Sequence, residues 1–493
     1  MTHPTPASTA RSRDGRPRKQ IHLGAHFPGV NNTTVWSDPA SRSQIEFSSF
    51  EHLARRAEEA KLDFFFLAEG LRLREHKGQI HDLDVVGRPD TLPVLAALAA
   101  VTDRLGLAGT VNTTFNEPYE LARQFASLDI LSGGRAAWNL VTSPDAFTGA
   151  NFRRGGFLPY EERYERAGEL VALARQLWDS WDDDAVIDLV DGQDDGTVDV
   201  LAPGGLVRPG GVRPFAHRGK HFDVSGRFET PRGPQGHPVL FQAGDSADGR
   251  DFAAATADVV FSAHSAFEDG QAFYADVKSR LAAHGRDRDS LKILPATVVV
   301  LGDTADEAAE RAREIRLQQV PGRTAIAFLE QVWGRDLTAY DPEGPLPDVE
   351  PDLEHLSITR GRVRHVKDPG PVVRAWREKA AANGWSIRDL VIDVTSRGGF
   401  VGTAQQVADD IDRHVQEDAS DGFILVPHLT PAGLDDVFDQ VVPLLQERGS
   451  FRTEYTGTTL RDHLGLSRPE VGAGPAPVGD TVAAGASSST RLS

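Results

Sequence analysis

The chain has 493 residues, no cysteine and a formal net charge of −19. The missing cysteines exclude disulfides, thiolate zinc sites and a cysteine nucleophile, and the acidic balance argues against a nucleic-acid partner, which requires clustered cations. No run of about 18 apolar residues is present to cross a membrane, so we expect a cytoplasmic protein with no membrane partner.

Both ends of the chain have compositions typical of disorder. Residues 1–19 carry basic and small residues but lack the apolar core of a signal peptide. Residues 467–493 are rich in Gly, Ala, Pro and Ser. We therefore expect a disordered leader, one folded domain over residues 20–466, and a disordered tail.

Within the folded region, short β-branched or aromatic runs alternate with helical patterns, which is typical of βα units around a parallel sheet. The predicted strands are 21–27, 62–68, 105–111, 136–141, 239–243, 259–263, 293–300 and 422–427. Helices are predicted over 47–60, with Ser48 and Ser49 as candidate caps, and over 161–181. Eight such strands with right-handed crossovers close most naturally into a (β/α)8 TIM barrel of the α/β class.

Three segments are longer than a minimal barrel needs, near 142–160, 182–236 and 321–397. The second is acidic and rich in Gly and Pro, and we expect part of 192–211 to be flexible. The third contains a helical pattern over 371–383. Long loops in compact domains commonly form lids or binding walls, so we interpret these segments as insertions at the C-terminal rim, with a lid as a hypothesis.

The rim is where the active site of a (β/α)8 barrel lies, because catalytic groups follow the strand ends. The predicted ends supply Glu69 after the second strand, Thr110 and Asn112–Phe115 at the third, and Asn139, Thr142 and Ser143 at the fourth. These groups are mostly hydroxyls and amides rather than paired carboxylates. Such a rim favours a polar cofactor over acid–base hydrolysis.

The segment 242–250, after the fifth strand, has the composition of a phosphate-binding turn. The strand breaks at Gly244, Ser246 follows, and a helix is predicted to begin near Asp248. Unpaired backbone N–H groups at a helix start can hold a phosphate. Asp245 would repel that phosphate unless its carboxylate points away, and an ordinary βα loop of this composition is the alternative.

Two tyrosines lie at the start of the helix predicted to begin near Pro159. Tyr160 and Tyr164 are four residues apart and so share a helix face, where two phenols can hydrogen-bond a phosphate or a ribityl chain. Packing of both rings in an amphipathic core is the alternative. Arg163 between them has the pattern of an ordinary solvent or ion-pair residue.

The histidines do not form a recognisable metal motif. His22 and His26 share a face of the first strand, and His81 lies near Asp82 and Asp84. A tight His-x-His at the end of the first strand and a His-Glu-x-x-His motif are both absent. We therefore predict no metal site.

Seven segments together resemble the nitrilotriacetate, EDTA and dibenzothiophene-sulfone monooxygenases, a branch of the bacterial-luciferase-like superfamily. They are DFFFLAEG (63–70), PYELARQFASLDILSGGRAAWNLVTS (118–143), RYERAGELVALARQLWDSW (163–181), HRGKHFDVSG (217–226), PRGPQGHPVLFQAGDSADGRDFAAATADVVFSA (231–263), GTAQQVADDI (402–411) and the segment 421–466. The resemblance runs in order through residues 20–466.

The resemblance implies a two-component enzyme that receives FMNH2 from a separate NAD(P)H:flavin reductase. With O2 it would form a flavin 4a-hydroperoxide and oxygenate carbon next to nitrogen, sulfur or another heteroatom. Relatives of this kind are commonly dimers or tetramers, so a homodimer or homotetramer is implied. The flavin contacts carried over by position are Glu69, Thr110, Asn139, Tyr164 and Ser246, with Tyr160, Gly244 and Asp245 beside them.

Three of these positions depart from the family pattern. Glu69 stands where the family generally has Asp, and its contact is open to being made by the backbone alone. Tyr160 replaces the His of a His-x-x-Arg-Tyr pattern, which leaves any proton-shuttling role there in doubt. Asp245 stands where Ser is frequent. No catalytic acid or base is assigned by the resemblance.

The substrate side is predicted from Phe27, Trp36, Phe115 and His264, with simple packing as the alternative for each. An aminopolycarboxylate would require several cations at the mouth, and this acidic sequence shows no obvious cluster. Among organosulfur, amine and halogenated compounds, a neutral or organosulfur substrate is therefore favoured. The alternatives for function are a deazaflavin-dependent oxidoreductase of the same superfamily, a barrel metallohydrolase and a non-catalytic flavin-binding protein.

Overall fold

The computed structural model describes residues 18–28, 33–80, 86–143, 146–152, 158–159, 162–186, 206–352, 359–360, 368–396 and 398–472. Eight parallel strands, numbered here from first to eighth, form its centre: His22–Phe27, Phe64–Leu67, Gly106–Asn112, Ala136–Val141, Val239–Gln242, Val259–Ser262, Lys292–Leu301 and Gly422–Leu425. The first strand pairs with the second and the eighth, and the sixth pairs with the seventh, so the sheet closes. The predicted (β/α)8 barrel is confirmed.

Helices surround the barrel. They are Phe47–Glu59, Thr91–Ala99, Pro118–Leu131, Ala146–Gly149, Arg163–Trp178, Ala247–Thr256, Phe267–Arg280, Ala305–Gln319, Gly322–Trp333, Gly370–Asn383, Ile387–Thr395, Ala404–Gln416, Asp435–Glu447 and Leu460–Leu464, with 3-10 turns at Leu281–His284 and Arg288–Ser290. In the part of the chain that the structure describes, no helix has the length and apolar character needed to cross a membrane.

Two predicted helix starts need correction. The first helix begins at Phe47 after Glu46, so Ser48 and Ser49 lie inside its first turn and cap nothing. The hydroxyl of Ser43 instead accepts hydrogen bonds from the two backbone N–H groups that precede the helix. The helix predicted over 161–181 spans Arg163–Trp178, so it begins two residues later and ends three residues earlier than predicted.

Side chains of each strand alternate between two cores, as expected for a barrel covered by helices. Leu23 and Phe27 face outward and pack with the surrounding helices. Phe64, Phe66 and Phe241 face inward and fill the barrel interior. Toward the C-terminal ends of the third and fourth strands the inward positions become polar, with Thr110 two residues after Ala108 and Asn139 two residues after Ala137. The barrel interior therefore offers polar groups only at its upper rim on these strands.

The C-terminal segment closes the opposite end of the barrel. Leu460 and Leu464 belong to the interior core. Buried Asp63 accepts hydrogen bonds from His22 Nδ1 at 3.0 Å and from Arg452 Nη2 at 2.6 Å. Burial alone would raise the pKa of Asp63, but the charge of Arg452 and the contact with His22 lower it to about 2. This buried ion pair joins the C-terminal segment to the second strand.

The folded domain extends slightly beyond the predicted limits at both ends. Arg18 pairs with Asp412, and Arg468 donates to Asp183 at 2.7 Å. Residues 18–19 and 467–472, which were assigned to the predicted leader and tail, are therefore part of the described structure. Residues 1–17 and 473–493 lie outside the described residues.

The insertion near 321–397 is a helical unit with its own core. Its helices Gly322–Trp333, Gly370–Asn383 and Ile387–Thr395 bury Trp333, Val373 and Ile387 against one another. The helix predicted over 371–383 is present. The short strand Gly399–Gly402, which pairs with the seventh strand, and the helices Gly322–Trp333 and Ile387–Thr395 were not predicted.

A hairpin after the second strand contacts this helical unit. The hairpin consists of Glu75–His76 and Gln79–Ile80. The buried carboxylate of Glu330 lies 2.6 Å from His76 Nε2 and accepts a hydrogen bond from Lys77 Nζ, also at 2.6 Å. The loops that follow the second and seventh strands are thus joined above the barrel.

The described part of the insertion near 182–236 contains a hairpin. Phe215–Arg218 and Asp223–Gly226 form an antiparallel hairpin, which the sequence pattern did not predict. Arg213 pairs with Asp182 at 2.5 Å across the base of the segment. Most of the stretch expected to be flexible, 192–205, lies outside the described residues.

Candidate active site

The turn after the fifth strand packs closely against the long helix that carries Tyr164. Helix Ala247–Thr256 begins after Ser246, whose Oγ accepts a hydrogen bond from Gly249 N at 3.1 Å. A Cβ atom added at Gly244 would lie 2.8 Å from Tyr164 Oη, and one added at Gly249 would lie equally close. Any larger residue at either position would therefore displace the phenol or the turn. The phenol, the serine hydroxyl and a helix N-terminus converge on one turn, which is a suitable geometry for a phosphate.

Arg163 is buried next to this turn, so of the two alternatives predicted for it the solvent residue was wrong, while the ion-pair residue stays a prediction. Arg163 is 8% exposed, and its guanidinium lies 4.4 Å from the centre of the Tyr164 ring. A guanidinium stacked on a ring contributes both packing and charge. The position four residues before Ala167, which is buried on the same helix face, could have indicated this burial. Arg163 adds a positive charge to the surroundings of Tyr164.

A second polar group lies on the inner wall of the barrel. Asn139 Nδ2 donates to Thr110 Oγ1 at 2.8 Å, and the two residues are 4% and 6% exposed. The other amide atom, Asn139 Oδ1, is buried and has no hydrogen-bond partner among the described residues. A buried acceptor without a donor costs about 1–3 kcal/mol. This oxygen is therefore suited to accept a hydrogen bond from a ligand N–H.

Glu69 lies between the ends of the second and third strands. Its carboxylate accepts hydrogen bonds from Asn112 N at 3.1 Å and from Asn112 Nδ2 at 3.2 Å. The Asn112 side chain is itself oriented, because its oxygen accepts from Phe115 N at 2.8 Å. Burial raises the pKa of Glu69 to about 7, against the opposing effect of the Asn112 hydrogen bonds. A carboxyl that titrates near neutrality therefore lies at the rim.

Asp245 does not place a bare negative charge at the phosphate turn. Its Oδ1 atom is 2.9 Å from Arg250 Nη2 and 2.9 Å from His264 Nε2. Partial burial acts to raise the pKa of Asp245, but the hydrogen bonds with His264 and Arg250 lower it below the ordinary value. The sequence left open only that this carboxylate points away, whereas the structure shows a second solution, which is pairing with Arg250 and His264.

The four substrate-side candidates lie in different places. Phe27 is fully buried between barrel and helices, with its ring 4.2 Å from that of Phe50, so it does not face the mouth. Phe115 is half-buried and stacks on the exposed ring of Phe152 at 4.8 Å. His264 belongs to the Asp245 group instead of the apolar side. Tyr160, predicted beside the phosphate, lies outside the described residues.

Trp36 lies beside the end of the eighth strand. The preceding residue, Val35, donates its N–H to His428 O at 2.8 Å. The indole Nε1 of Trp36 is buried and makes no hydrogen bond to any residue that the structure describes. His428 was not singled out from the sequence, although it directly follows the predicted eighth strand. Burial, with a smaller contribution from Arg311, lowers the pKa of His428 to about 4.

Two other features of the described ranges bear on possible sites, namely acidic and histidine side chains that could hold a metal and a cavity away from the rim. No group of three or more His, Asp or Glu side chains there is arranged to hold a metal. A cavity of about 390 Å³ next to Tyr274 lies near the start of the eighth strand, at the opposite end from the rim. Its lysine, Lys278, already pairs with Asp421 at 3.1 Å.

The barrel therefore carries, above its strand ends, a candidate site whose groups are suited to a polar, phosphorylated ligand. The luciferase-like monooxygenase family model matches residues 29–421. The chain is 38% identical to N-acetyl-S-(2-succino)cysteine monooxygenase of Bacillus subtilis (strain 168), over 92% of this chain and 98% of that protein. It is also 38% identical to nitrilotriacetate monooxygenase component A of Aminobacter aminovorans, with the same coverage.

Among solved structures, the chain is similar to DmoA from Hyphomicrobium sulfonivorans, with a TM-score of 0.74 and 30% identity over 90% of this chain and 92% of that chain. The chain belongs to the luciferase-like monooxygenase family. It is a flavin-dependent monooxygenase of that family, as the sequence resemblance implied. This result favours the monooxygenase over the deazaflavin oxidoreductase and the metallohydrolase.

Proposed function

We propose that the chain binds FMNH2 at the rim and uses O2 to oxygenate a small organosulfur compound. The observation that carries the placement is the convergence of Tyr164 Oη, Ser246 Oγ and the start of helix Ala247–Thr256 on the turn at Gly244. These groups would hold the phosphate of FMN. A dianionic phosphate at a helix N-terminus is favoured by the unpaired N–H groups and by the helix dipole.

The ring end of the cofactor is assigned to the inner wall. Asn139 Oδ1, held in place by the hydrogen bond to Thr110, would accept from a ring N–H of the flavin. Glu69, oriented by Asn112, would lie at the adjoining strand end and hold or release a proton at its carboxyl oxygens near neutral pH. The donors and acceptors present thus match both ends of FMN.

Reduced FMN, when bound, supplies the electrons that activate O2 for transfer of one oxygen atom. The chain contributes binding, orientation and exclusion of water. Phe115, Phe152 and Trp36 would supply apolar surface at the mouth. The helical unit joined to the hairpin through Glu330 would form the wall above it.

The substrate class is inferred from the relatives and the rim. Three similar enzymes are named for sulfur compounds: N-acetyl-S-(2-succino)cysteine monooxygenase, dibenzothiophene-sulfone monooxygenase and dimethyl-sulfide monooxygenase. At the described rim, the cation Arg250 is paired with Asp245 and Asp276. The relatives therefore favour an organosulfur compound as the substrate class, and the pairing of Arg250 is consistent with the neutral members of that class.

The proposal includes a separate NAD(P)H:flavin reductase as functional partner. The relative from Aminobacter aminovorans is named as component A, which implies a second component for that enzyme. Reduced FMN made by a reductase has to reach the rim, by diffusion or by contact between the two proteins. We also propose a cytoplasmic location, where NAD(P)H is available, and a homodimer or homotetramer.

A reconstituted assay tests the function. The purified chain would be mixed with a generic flavin reductase, NADH, FMN and 18O2, and thioethers, sulfones, amines and haloaromatics would be screened by mass spectrometry. We expect one labelled oxygen atom in a product from the sulfur compounds. A Tyr164→Phe/Ser246→Ala variant should lose this activity, whereas Gly168→Ala should keep it, because the added Cβ would lie 3.7 Å from Phe252, an ordinary contact distance. Bound FMN without label in any product would contradict the monooxygenase function.

A further inference from the structure

His264, on the loop after the sixth strand, is held between two carboxylates. Its Nε2 lies 2.9 Å from Asp245 Oδ1, and its Nδ1 lies 2.7 Å from Asp269 Oδ2. The ring also stacks on Phe273, with 4.3 Å between ring centres. An imidazole can donate from both nitrogens only when it is protonated, so this arrangement favours the imidazolium. Burial opposes the charge, yet both carboxylates raise the pKa of His264 above its ordinary value.

The charges around His264 form a balanced group. Arg250 links two of its carboxylates, with 2.9 Å to Asp245 and 3.0 Å to Asp276. The carboxylates are Asp245, Asp269 and Asp276, and the cations are Arg250, Arg280 and protonated His264. The group is neutral while His264 is protonated and carries one net negative charge when His264 loses its proton. Asp248 is exposed in the first turn of helix Ala247–Thr256. It is unchanged in all the variants proposed below, so its charge contributes equally to each.

This balanced group adjoins the turn assigned to the phosphate. Asp245 directly follows Gly244 and directly precedes Ser246, which begins the helix. Arg250 also donates from Nε to the backbone oxygen of Asp245 at 3.0 Å, so side chain and backbone of that residue are fixed together. Any uncompensated charge on Asp245 is therefore presented to an anion bound at the turn.

Building on the proposed FMN site, we propose that His264 is a specificity-determining residue: as an imidazolium it compensates Asp245 and so permits selection of the phosphorylated flavin, FMN, over riboflavin. Deprotonation of His264 leaves Asp245 with only Arg250, which also serves Asp276. The additional negative charge then repels the phosphate. Riboflavin carries no phosphate and is insensitive to this change.

The effect on FMN binding is modest and dependent on salt. A single charge near a helix N-terminus changes anion binding about two- to fivefold at low ionic strength. The Asp245 side chain is 60% exposed, so added salt should screen much of the effect. The second pKa of a phosphate monoester is about 6. Measurements should therefore span about pH 7 to 9, where the phosphate remains dianionic.

The test compares oxidised FMN with riboflavin, each titrated by flavin fluorescence into the wild-type chain, His264→Gln, Asp245→Ser and the double variant. We expect His264→Gln to weaken FMN about two- to fivefold at pH 7 while riboflavin affinity is unchanged. Wild-type affinity for FMN should fall as pH rises toward 9. Asp245→Ser should remove this pH dependence, and in the double variant it should restore FMN affinity.

The possible outcomes distinguish failure of the role proposed for His264 from failure of the proposed flavin site. Equal weakening of FMN and riboflavin by His264→Gln would show a structural role for His264 and overturn the inference. Retention of the pH dependence in Asp245→Ser would overturn it as well, without relying on the folding of the histidine variant. If the wild-type chain binds neither flavin, the proposed function itself fails. If it binds both equally at every pH, only the phosphate selection fails.

Discussion

The sharpest perturbation of the candidate site is the addition of one methyl group at Gly244. The Cβ atom of Gly244→Ala would lie 2.5 Å from Gln242 Nε2, 2.8 Å from Tyr164 Oη and 3.0 Å from the backbone Cα of Gly249. Ordinary contacts are about 3.5–4.0 Å, so the phenol or the turn must move by roughly 1 Å. Gly244 has no positive φ, so the effect arises from the clash and not from backbone strain. Overpacking of this kind costs about 1–3 kcal/mol of stability.

The larger consequence is expected for FMN. Displacing Tyr164 or the start of the helix removes hydrogen bonds to a charged phosphate, each contributing about 1.5–3 kcal/mol, so FMN affinity should fall about tenfold to 100-fold. Gly168→Ala is the matched control, because its Cβ would meet only Phe252 at 3.7 Å and alanine favours a helix by about 0.5–1 kcal/mol. Fluorescence titration gives the affinity, and Tm gives the stability. Gly244→Ala binding FMN within about twofold of the wild type would refute this account of the turn.

Three further predictions concern other parts of the chain. The folded state raises the pKa of Glu69 from 4.5 to about 7, so this group favours folding below its unfolded pKa and loses that contribution as pH rises through 7. The Tm of Glu69→Gln minus that of the wild type should therefore be larger at about pH 8.5 than at about pH 5.5. The same Tm difference at both pH values would contradict a raised pKa of Glu69. Asp63→Asn leaves Arg452 without its buried partner and should cost about 3–5 kcal/mol, measured by denaturant unfolding. FMN affinity of the folded protein should be unchanged, because the pair lies at the opposite end of the barrel. Glu330→Gln weakens the contact with Lys77 and should increase substrate-independent H2O2 release; unchanged coupling would argue against the lid.

The strands could be predicted because their information is local. Strand Ala136–Val141 has the predicted bounds, and the other seven agree within two residues. Each is a short apolar or β-branched run bounded by turn residues, and burial on both faces leaves little freedom in its limits. The insertion near 321–397 was harder to interpret. Its core joins Trp333 to Val373 and Ile387 across a long stretch of sequence, and no local period reports such a contact.

The candidate site was predictable in its residue types but not in its charges. Gly244 and Ser246 were identified because a strand ends, a turn follows and a helix begins within a few residues, which is a local property of the sequence. The compensation of Asp245 by His264 joins two different βα loops, and the burial of Arg163 depends on the packing of its helix against the barrel. Electrostatic partners of this kind are set by tertiary structure. The sequence therefore showed that a carboxylate at Asp245 would repel a phosphate, but not which side chains compensate it.

Anaerobic titration of the purified chain with reduced FMN, repeated in air with oxidised FMN, is the most direct test of the central claim that the rim is a flavin site. The account predicts saturable binding of reduced FMN with one site per chain, and loss of that binding in Tyr164→Phe/Ser246→Ala. Failure of both redox forms to associate with the folded chain at about millimolar concentration would contradict it.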